Sequence, residues 1–223
     1  MDKTDHINRH DEFAGAYDSS VKAYNSYGAE ILFGMCYEYI KPGESLLDLG
    51  IGTGLSSVHF AEAGLDVTGL DGSLAMLQEC RKKGFAQDLR QFNIQNGPLP
   101  YSDNAFCHIV CCGVFHFFGD LFPTINEVSR ILKPAGIFAF TIAFNAGNNT
   151  GIDSERLPEY RQKPTAWGIP IFFHSDKYIK QILETLGLTI QKEQKLLVDS
   201  GGKDADDLLF KVVVVKNTNS HTK

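Results

Sequence analysis

Leu46 to Gly54 reads LLDLGIGTG. Leu46, Leu47 and Leu49 form the short apolar run expected of a strand buried on both faces. Asp48 interrupts the run near its end, and Gly50, Gly52 and Gly54 follow at alternate positions. Residues 55–63 then read as a helix that Gly64 stops. A buried strand, a glycine turn and a helix N-terminus place bare backbone N–H groups around a ligand at the carboxyl end of a sheet. Glycine is needed there because a Cβ would block the ligand and because such turns often require positive φ.

The spacing discriminates between ligands. A dinucleotide fingerprint, GxGxxG, has its third glycine three residues after the second, where this chain has Leu55. A phosphate P-loop needs a Lys-Ser or Lys-Thr pair, which the turn lacks. DLGIGTG instead resembles the first motif of class I S-adenosylmethionine (SAM) methyltransferases, an acidic residue before GxGxG. The resemblance implies that Asp48, Gly50, Gly52 and Gly54 belong to a SAM site.

Downstream, Val67 to Leu70 reads as a second strand with Asp71 at its carboxyl end, followed by Gly72. A carboxylate placed there accepts from both ribose hydroxyls of a nucleoside, in NAD enzymes as in SAM enzymes. The alternative for Asp71 is an N-cap. Residues 73–83 follow as a helix with Leu74, Leu77 and Cys80 inward. Met76 is either core or, as the resemblance implies, an apolar cover for adenine, and Asp71 and Gly72 join the same cofactor set. The third strand, residues 89–94, ends in Asn93-Ile94 where the family has an acidic residue and a small or apolar one. The amide oxygen of Asn93 is expected to accept from the adenine amino group, and the Ile94 N–H to serve a ring nitrogen.

PLPYSDNAFCHIVCCGVFHFF, Pro98 to Phe118, resembles the LPFPDNSFDVV…LHH stretch of ubiquinone-biosynthesis-like and related small-molecule methyltransferases (methyltransferase type 11). Cys107 stands where the family has Asp. Asp103-Asn104 is a turn, and the fourth strand ends at Cys112-Gly113, which puts Cys112 beside the methionine part of the cofactor. The cysteines read as small buried hydrophobes. His116 follows, where a substrate-facing residue would orient or deprotonate a nucleophile. Its alternative is packing among Phe115, Phe117 and Phe118. Residues 120–132 form an amphipathic helix, and LKPAG, Leu132 to Gly136, resembles the RVLKPGG turn before the fifth strand, with Ala135 replacing a glycine.

FAGAYDSSVKAYNSY, Phe13 to Tyr27, resembles the aromatic leader that closes the active site in such enzymes. It reads either as a flap touching the ligand through Tyr17 or Tyr24, or as a helix packed on the domain edge. Residues up to Glu12 read as polar and unstructured. The irregular stretch 145–173 is long enough to be functional, and in this fold family it commonly builds the substrate pocket. Trp167 would wall an acceptor or anchor the loop. FHSDKYIKQILETLGLTI resembles the family's HSxxYxxxLLxxAGF, with Ser175 capping the last helix and His174 either facing the pocket or packed. Residues 188–198 and 208–216 suit a closing antiparallel hairpin.

The 223 residues, 43% hydrophobic and 22% charged, suit one α/β domain. The expected organisation is a leader over 1–28, a methyltransferase domain over 29–216 with its substrate insertion at 145–173, and a polar tail over 217–223. The resemblance implies a Rossmann-like, seven-stranded, mostly parallel sheet of order 3-2-1-4-5-7-6 with helices on both faces, and SAM-dependent methylation of a small molecule. A net charge of -6 without a basic stripe disfavours nucleic acid. No apolar stretch reaches the ~20 residues of a membrane span. The polar beginning excludes a signal peptide, and five cysteines without a CxxC pair point to reduced thiols in the cytoplasm and no metal. A monomer or homodimer is expected. The rival readings are an NAD-binding oxidoreductase and a SAM-binding module without catalysis.

Overall fold

The computed structural model describes residues 5–23, 26–144, 160–164, 169–198 and 208–219. Its parallel strands are β1 (Ser45–Leu49), β2 (Asp66–Asp71), β3 (Asp88–Gln91), β4 (Phe106–Cys111) and β5 (Leu132–Ala143). They lie in the order β3-β2-β1-β4-β5. β1, β2 and β4 each lead on to a helix that packs back on the sheet, the arrangement that makes parallel neighbours. Two further strands, β8 (Leu188–Val198) and β9 (Leu208–Asn217), form the antiparallel hairpin that extends β5. Over these seven strands the order is the expected 3-2-1-4-5-7-6.

Among the described residues the sheet has nine strands rather than seven. β6 (Tyr160–Lys163) and β7 (Ile171–His174) pair as an antiparallel hairpin, and β7 touches the carboxyl end of β5 through Ala143 and Phe173. Both are four residues long, too short for alternation to stand out of an irregular stretch.

Alternation along the strands divides the core in two. Leu47, Leu49, Ile109, Phe138 and Phe140 face α6 (Phe122–Ile131) and α7 (Asp176–Thr185). Leu46, Val67, Val110 and Ala139 face α3 (Gly28–Cys36), α4 (Ser57–Glu62) and α5 (Leu74–Lys83). Within α5 the buried stripe is Met76, Leu77 and Cys80; Leu74, expected inward, is 44% exposed at the first helical position. Ser73 and Ser175 cap α5 and α7, their hydroxyls accepting from the N–H of Met76 and Tyr178.

The leader is not unstructured up to Glu12. Asp5–Phe13 forms α1, a 3-10 turn follows, and Tyr17–Ala23 forms α2. Among the described residues no helix is long and apolar enough to cross a membrane.

Candidate active site

The glycine turn leaves β1 through two backbone bonds, Gly50 N–H and Ile51 N–H to the Leu70 carbonyl at 2.8 and 3.0 Å. The Gly52 N–H reaches Asp71 Oδ2 at 2.8 Å, and the Ser73 N–H reaches Asp71 Oδ1 at 2.8 Å. The Asp71 carboxylate therefore ties the turn to the end of β2, and burial raises its pKa against those two bonds. Around this corner a cavity opens at the carboxyl ends of β1, β2 and β4. Gly50, Gly52, Asp71, Gly72, Met76, Asn93, Ile94, Cys112 and Tyr17 line it together. The sequence brings these residues from five separate stretches, and the fold gathers them in one place.

Asn93 departs from its expected role. Its Oδ1 accepts from the Gln95 N–H at 3.0 Å, while its Nδ2 is buried without a partner. The free end of the amide is thus a donor, where an oxygen facing the base was expected. The Cys112 thiol is pushed up to about 12 by burial and so stays protonated at neutral pH. Burial also raises the Tyr17 hydroxyl, which leaves it a donor and not a base.

Two expected cofactor residues lie outside the lining. Asp48 sits on the opposite face from Leu47 and Leu49, as strand alternation requires, and points into the α4 side. It is 0% exposed, accepts from the Ser56 and Ser57 hydroxyls at 2.7 and 2.6 Å, and is pushed up to about 6 by burial. Asp48 thus pins the start of α4 from below. Gly54, at φ +88°, leaves room for a side chain and not for a ligand: a Cβ there would lie 2.5 Å from Phe85 Cζ and 2.9 Å from Cys80 Sγ.

His116 also lies outside the lining. Its ring packs against Phe117 at 4.0 Å between centroids and edge-on to Phe210 at 5.3 Å, and its pKa is pushed down to about 3 by burial, with His10, His174 and His6 adding to the shift. In this arrangement His116 is packed among aromatic rings and is uncharged at neutral pH. His174 is 2% exposed, bonds through Nε2 to the Gly119 carbonyl at 2.9 Å and stacks on Tyr178. It braces β7 against the loop after β4 and does not reach the cavity. Tyr24 and Trp167 fall outside the described residues.

The side of the cavity opposite the glycine turn comes from residues that the sequence reading missed. α1 lies across the opening with His6, Ile7 and His10 toward the cavity. A Cβ on Gly72 would fall 2.5 Å from Ile7 Cδ1, so Gly72 is what lets the helix approach. His6 stacks on Phe117 at 5.5 Å and 14°, and His10 meets the same ring edge-on at 5.4 Å. Asp11 Oδ1 accepts from the Ser73 hydroxyl at 2.5 Å and the Ala75 N–H at 3.2 Å, adding a second cap to α5. Asp18, on α2, accepts from the Thr53 hydroxyl and pairs with Lys83, both at 2.6 Å. The signal in the sequence was HINRH, two histidines four apart on one helical face with Ile7 beside them.

The geometry is that of an α/β sheet with a ligand cavity at its switch point, under a helical leader. Residues 47–140 match the model of a family described as methyltransferase domain. The chain is 33% identical over 149 residues to the malonyl-[acyl-carrier protein] O-methyltransferase of Serratia marcescens, covering 64% of this chain and 56% of that protein. It is 34% identical over 96 residues to the demethylmenaquinone methyltransferase of Corynebacterium kroppenstedtii, covering 43% of this chain and 40% of that protein. It thus spans about half the length of these relatives. Among solved structures, a SAM-dependent methyltransferase of Methanosarcina mazei superposes with a TM-score of 0.63 at 18% identity, over 83% of this chain and 98% of that one. The Burkholderia thailandensis 1,6-didemethyltoxoflavin-N1-methyltransferase, with bound substrate and S-adenosylhomocysteine, superposes with a TM-score of 0.66 at 15% identity, over 94% and 87%. At these identities the structural likeness speaks for the fold alone. The fold, the glycine turn and the matched segment agree on one statement: residues 47–140 match a methyltransferase domain, set on the sheet that SAM-dependent methyltransferases also have.

Proposed function

We propose that this chain binds SAM in the cavity and transfers its methyl group to a small-molecule acceptor, with α1 and α2 closed over both. The observation that carries this reading is the convergence of Gly50, Gly52, Asp71, Gly72, Met76, Asn93, Ile94 and Cys112 on one cavity. A nucleoside sulfonium fits the donor set there. The buried, unpartnered Nδ2 of Asn93 awaits an acceptor, and the approach at Gly72 is one that a Cβ would close. Asp71 would hold the ribose hydroxyls, Met76 and Ile94 the faces of the base, and the backbone at Gly50 and Gly52 the methionine end.

Bound there, SAM supplies a methyl on a sulfonium, which loses its positive charge as an acceptor attacks in line. The chain's own contribution is placement and a dry site. Phe92, Phe117 and Phe118 give the cavity an aromatic wall suited to a flat, apolar acceptor. The protonated Tyr17 hydroxyl and Cys112 thiol donate without adding charge. The relatives named above act on a malonyl-acyl carrier and on demethylmenaquinone; this chain's acceptor is read only as a small molecule.

Titration calorimetry with SAM, S-adenosylhomocysteine and NAD tests the reading. The expected result is a Kd of about 1–100 μM for the two sulfur nucleosides and no heat with NAD. Heat with NAD alone would overturn it in favour of an oxidoreductase. Binding of SAM without methyl transfer to any of a broad panel of phenols, thiols, amines and carboxylic acids would leave a binding module.

A further inference from the structure

His6 and His10 line the cavity, and His116 and His174 lie behind it. His6 and His10 both belong to the leader helix, and His6 is the one that touches both Phe117 and Phe118. Its ring lies flat on Phe117 and edge-on to Phe118 at 5.7 Å. The carbonyl of His6 accepts from the Nδ1–H of His10 at 2.6 Å, which fixes the neighbouring imidazole one turn further on. Ile7, between them, closes against Gly72. We propose that α1 is an acid-opened gate, which stays shut over the cofactor cavity while His6 is uncharged and swings away when His6 takes a proton. This rests on the proposed reading of the cavity as the SAM site only in naming what the gate encloses.

The surroundings of His6 set the sign. Burial is the largest influence on it and disfavours the imidazolium, and His10 adds to that; Asp5, on the same helix, pulls the other way. Under α1 lies His116, whose own charge is opposed by His6 and His10. One layer further are His174, Asp71, Tyr17 and Cys112, of which Asp71 feels His10. The face of Phe117 attracts an imidazolium and offsets part of the cost. The balance pushes His6 down to about 4 in the closed leader, against about 6.5 for an imidazole in water. Between these values the open leader binds a proton that the closed one does not. The proton therefore stops opposing closure above about pH 6.5, and closure weakens about tenfold for each pH unit below it, until about pH 4.

Hydrogen exchange of the α1 amides in the ligand-free protein tests the gate directly. Wild type is compared with His6→Phe, which keeps an aromatic ring on Phe117 and cannot titrate, at pH 7.5 and pH 5.0; comparing the two proteins at each pH cancels the intrinsic exchange rate. The protection of α1 in wild type should fall about 30-fold relative to the variant. The affinity for S-adenosylhomocysteine, measured by calorimetry at the same two pH values, should fall relative to His6→Phe only as far as the closed population falls, and so by less than the protection. That comparison removes the titration of Asp48 and Asp71, which both proteins share. His6→Leu serves the same purpose where the larger ring disturbs packing. Parallel behaviour of wild type and variant in exchange overturns the gate. A 30-fold fall in protection, together with no heat from S-adenosylhomocysteine at pH 7.5, keeps the gate and overturns the reading of the cavity as a SAM site.

Discussion

Gly52 and Ile7 face each other across the cavity and are held there by different means. The Gly52 N–H bonds Asp71, 19 residues away in the adjoining β-α-β unit. Ile7 is held through α1, whose Asp11 bonds Ser73 and Ala75, 62 and 64 residues away. The glycine turn is built by neighbours that any chain with this β-α-β pattern brings together. The leader is built by contacts that exist only once the sheet has formed. One side of the cavity is therefore part of the folded body, and the other is a docked cover whose attachment can change without unfolding the body.

The sharpest way to break this contrast is on the body side. Asp71→Ala removes the carboxylate that ties the turn to β2 and is placed for the ribose. The protein should stay folded, since the freed Gly52 and Ser73 N–H groups border the cavity and can take water. Affinity for S-adenosylhomocysteine should fall about 100-fold, roughly 2.7 kcal/mol, as expected for the loss of two hydrogen bonds to a charged group. Unchanged affinity, read by calorimetry, would put the nucleoside elsewhere.

Asp11→Ala addresses the cover alone. It removes the second cap from α5 and the tether of α1, worth about 1 kcal/mol. Trypsin cleavage after Arg9 should accelerate about fivefold, because cleavage follows the open population, while the unfolding midpoint of the body moves little. A midpoint that falls in step with the cleavage rate would make α1 an integral part of the domain, and the distinction between the two sides would be lost.

The same contrast explains what the sequence made legible. The run LLDLGIGTG, the acid after the second strand and the LKPAG stretch that opens β5 each specify structure within a few residues, so the resemblance they carry implied the strand order, and most residues on the glycine-turn side of the cavity could be named from them. Motif membership did not fix the direction of a side chain. Asp48 and Gly54 belong to the turn, yet alternation sends Asp48 under α4, and Gly54 makes room for Phe85. His116 stood where a base would serve, but the aromatic neighbours that made it conspicuous are also what buries it. The leader was read as polar because α1 buries none of its residues fully. Its roles rest on partners 35 to 65 and more residues downstream, and no local pattern encodes those.

A last and smaller test stays inside the legible side, at the one place where its pattern is broken. LKPAG carries Ala135 where the family has glycine, and Ala135 adopts φ +63°. A Cβ in the left-handed region costs about 1–2 kcal/mol, while glycine's freedom in the unfolded chain takes back about 0.4–1 kcal/mol. Ala135→Gly should therefore stabilise the protein by about 0.5–1 kcal/mol, a rise in Tm of roughly 1–4 °C for a chain of this size. Ala135 is exposed, so no lost contact competes with this gain. The neighbouring Gly136→Ala has the opposite sign, because its Cβ would meet the Cys107 carbonyl oxygen at 2.5 Å. Thermal unfolding of both variants distinguishes strain in the backbone from a general preference for small residues in this turn. If Ala135→Gly lowers Tm, the left-handed turn is sustained by more than local conformation, and even the body's most readable segment depends on its distant neighbours.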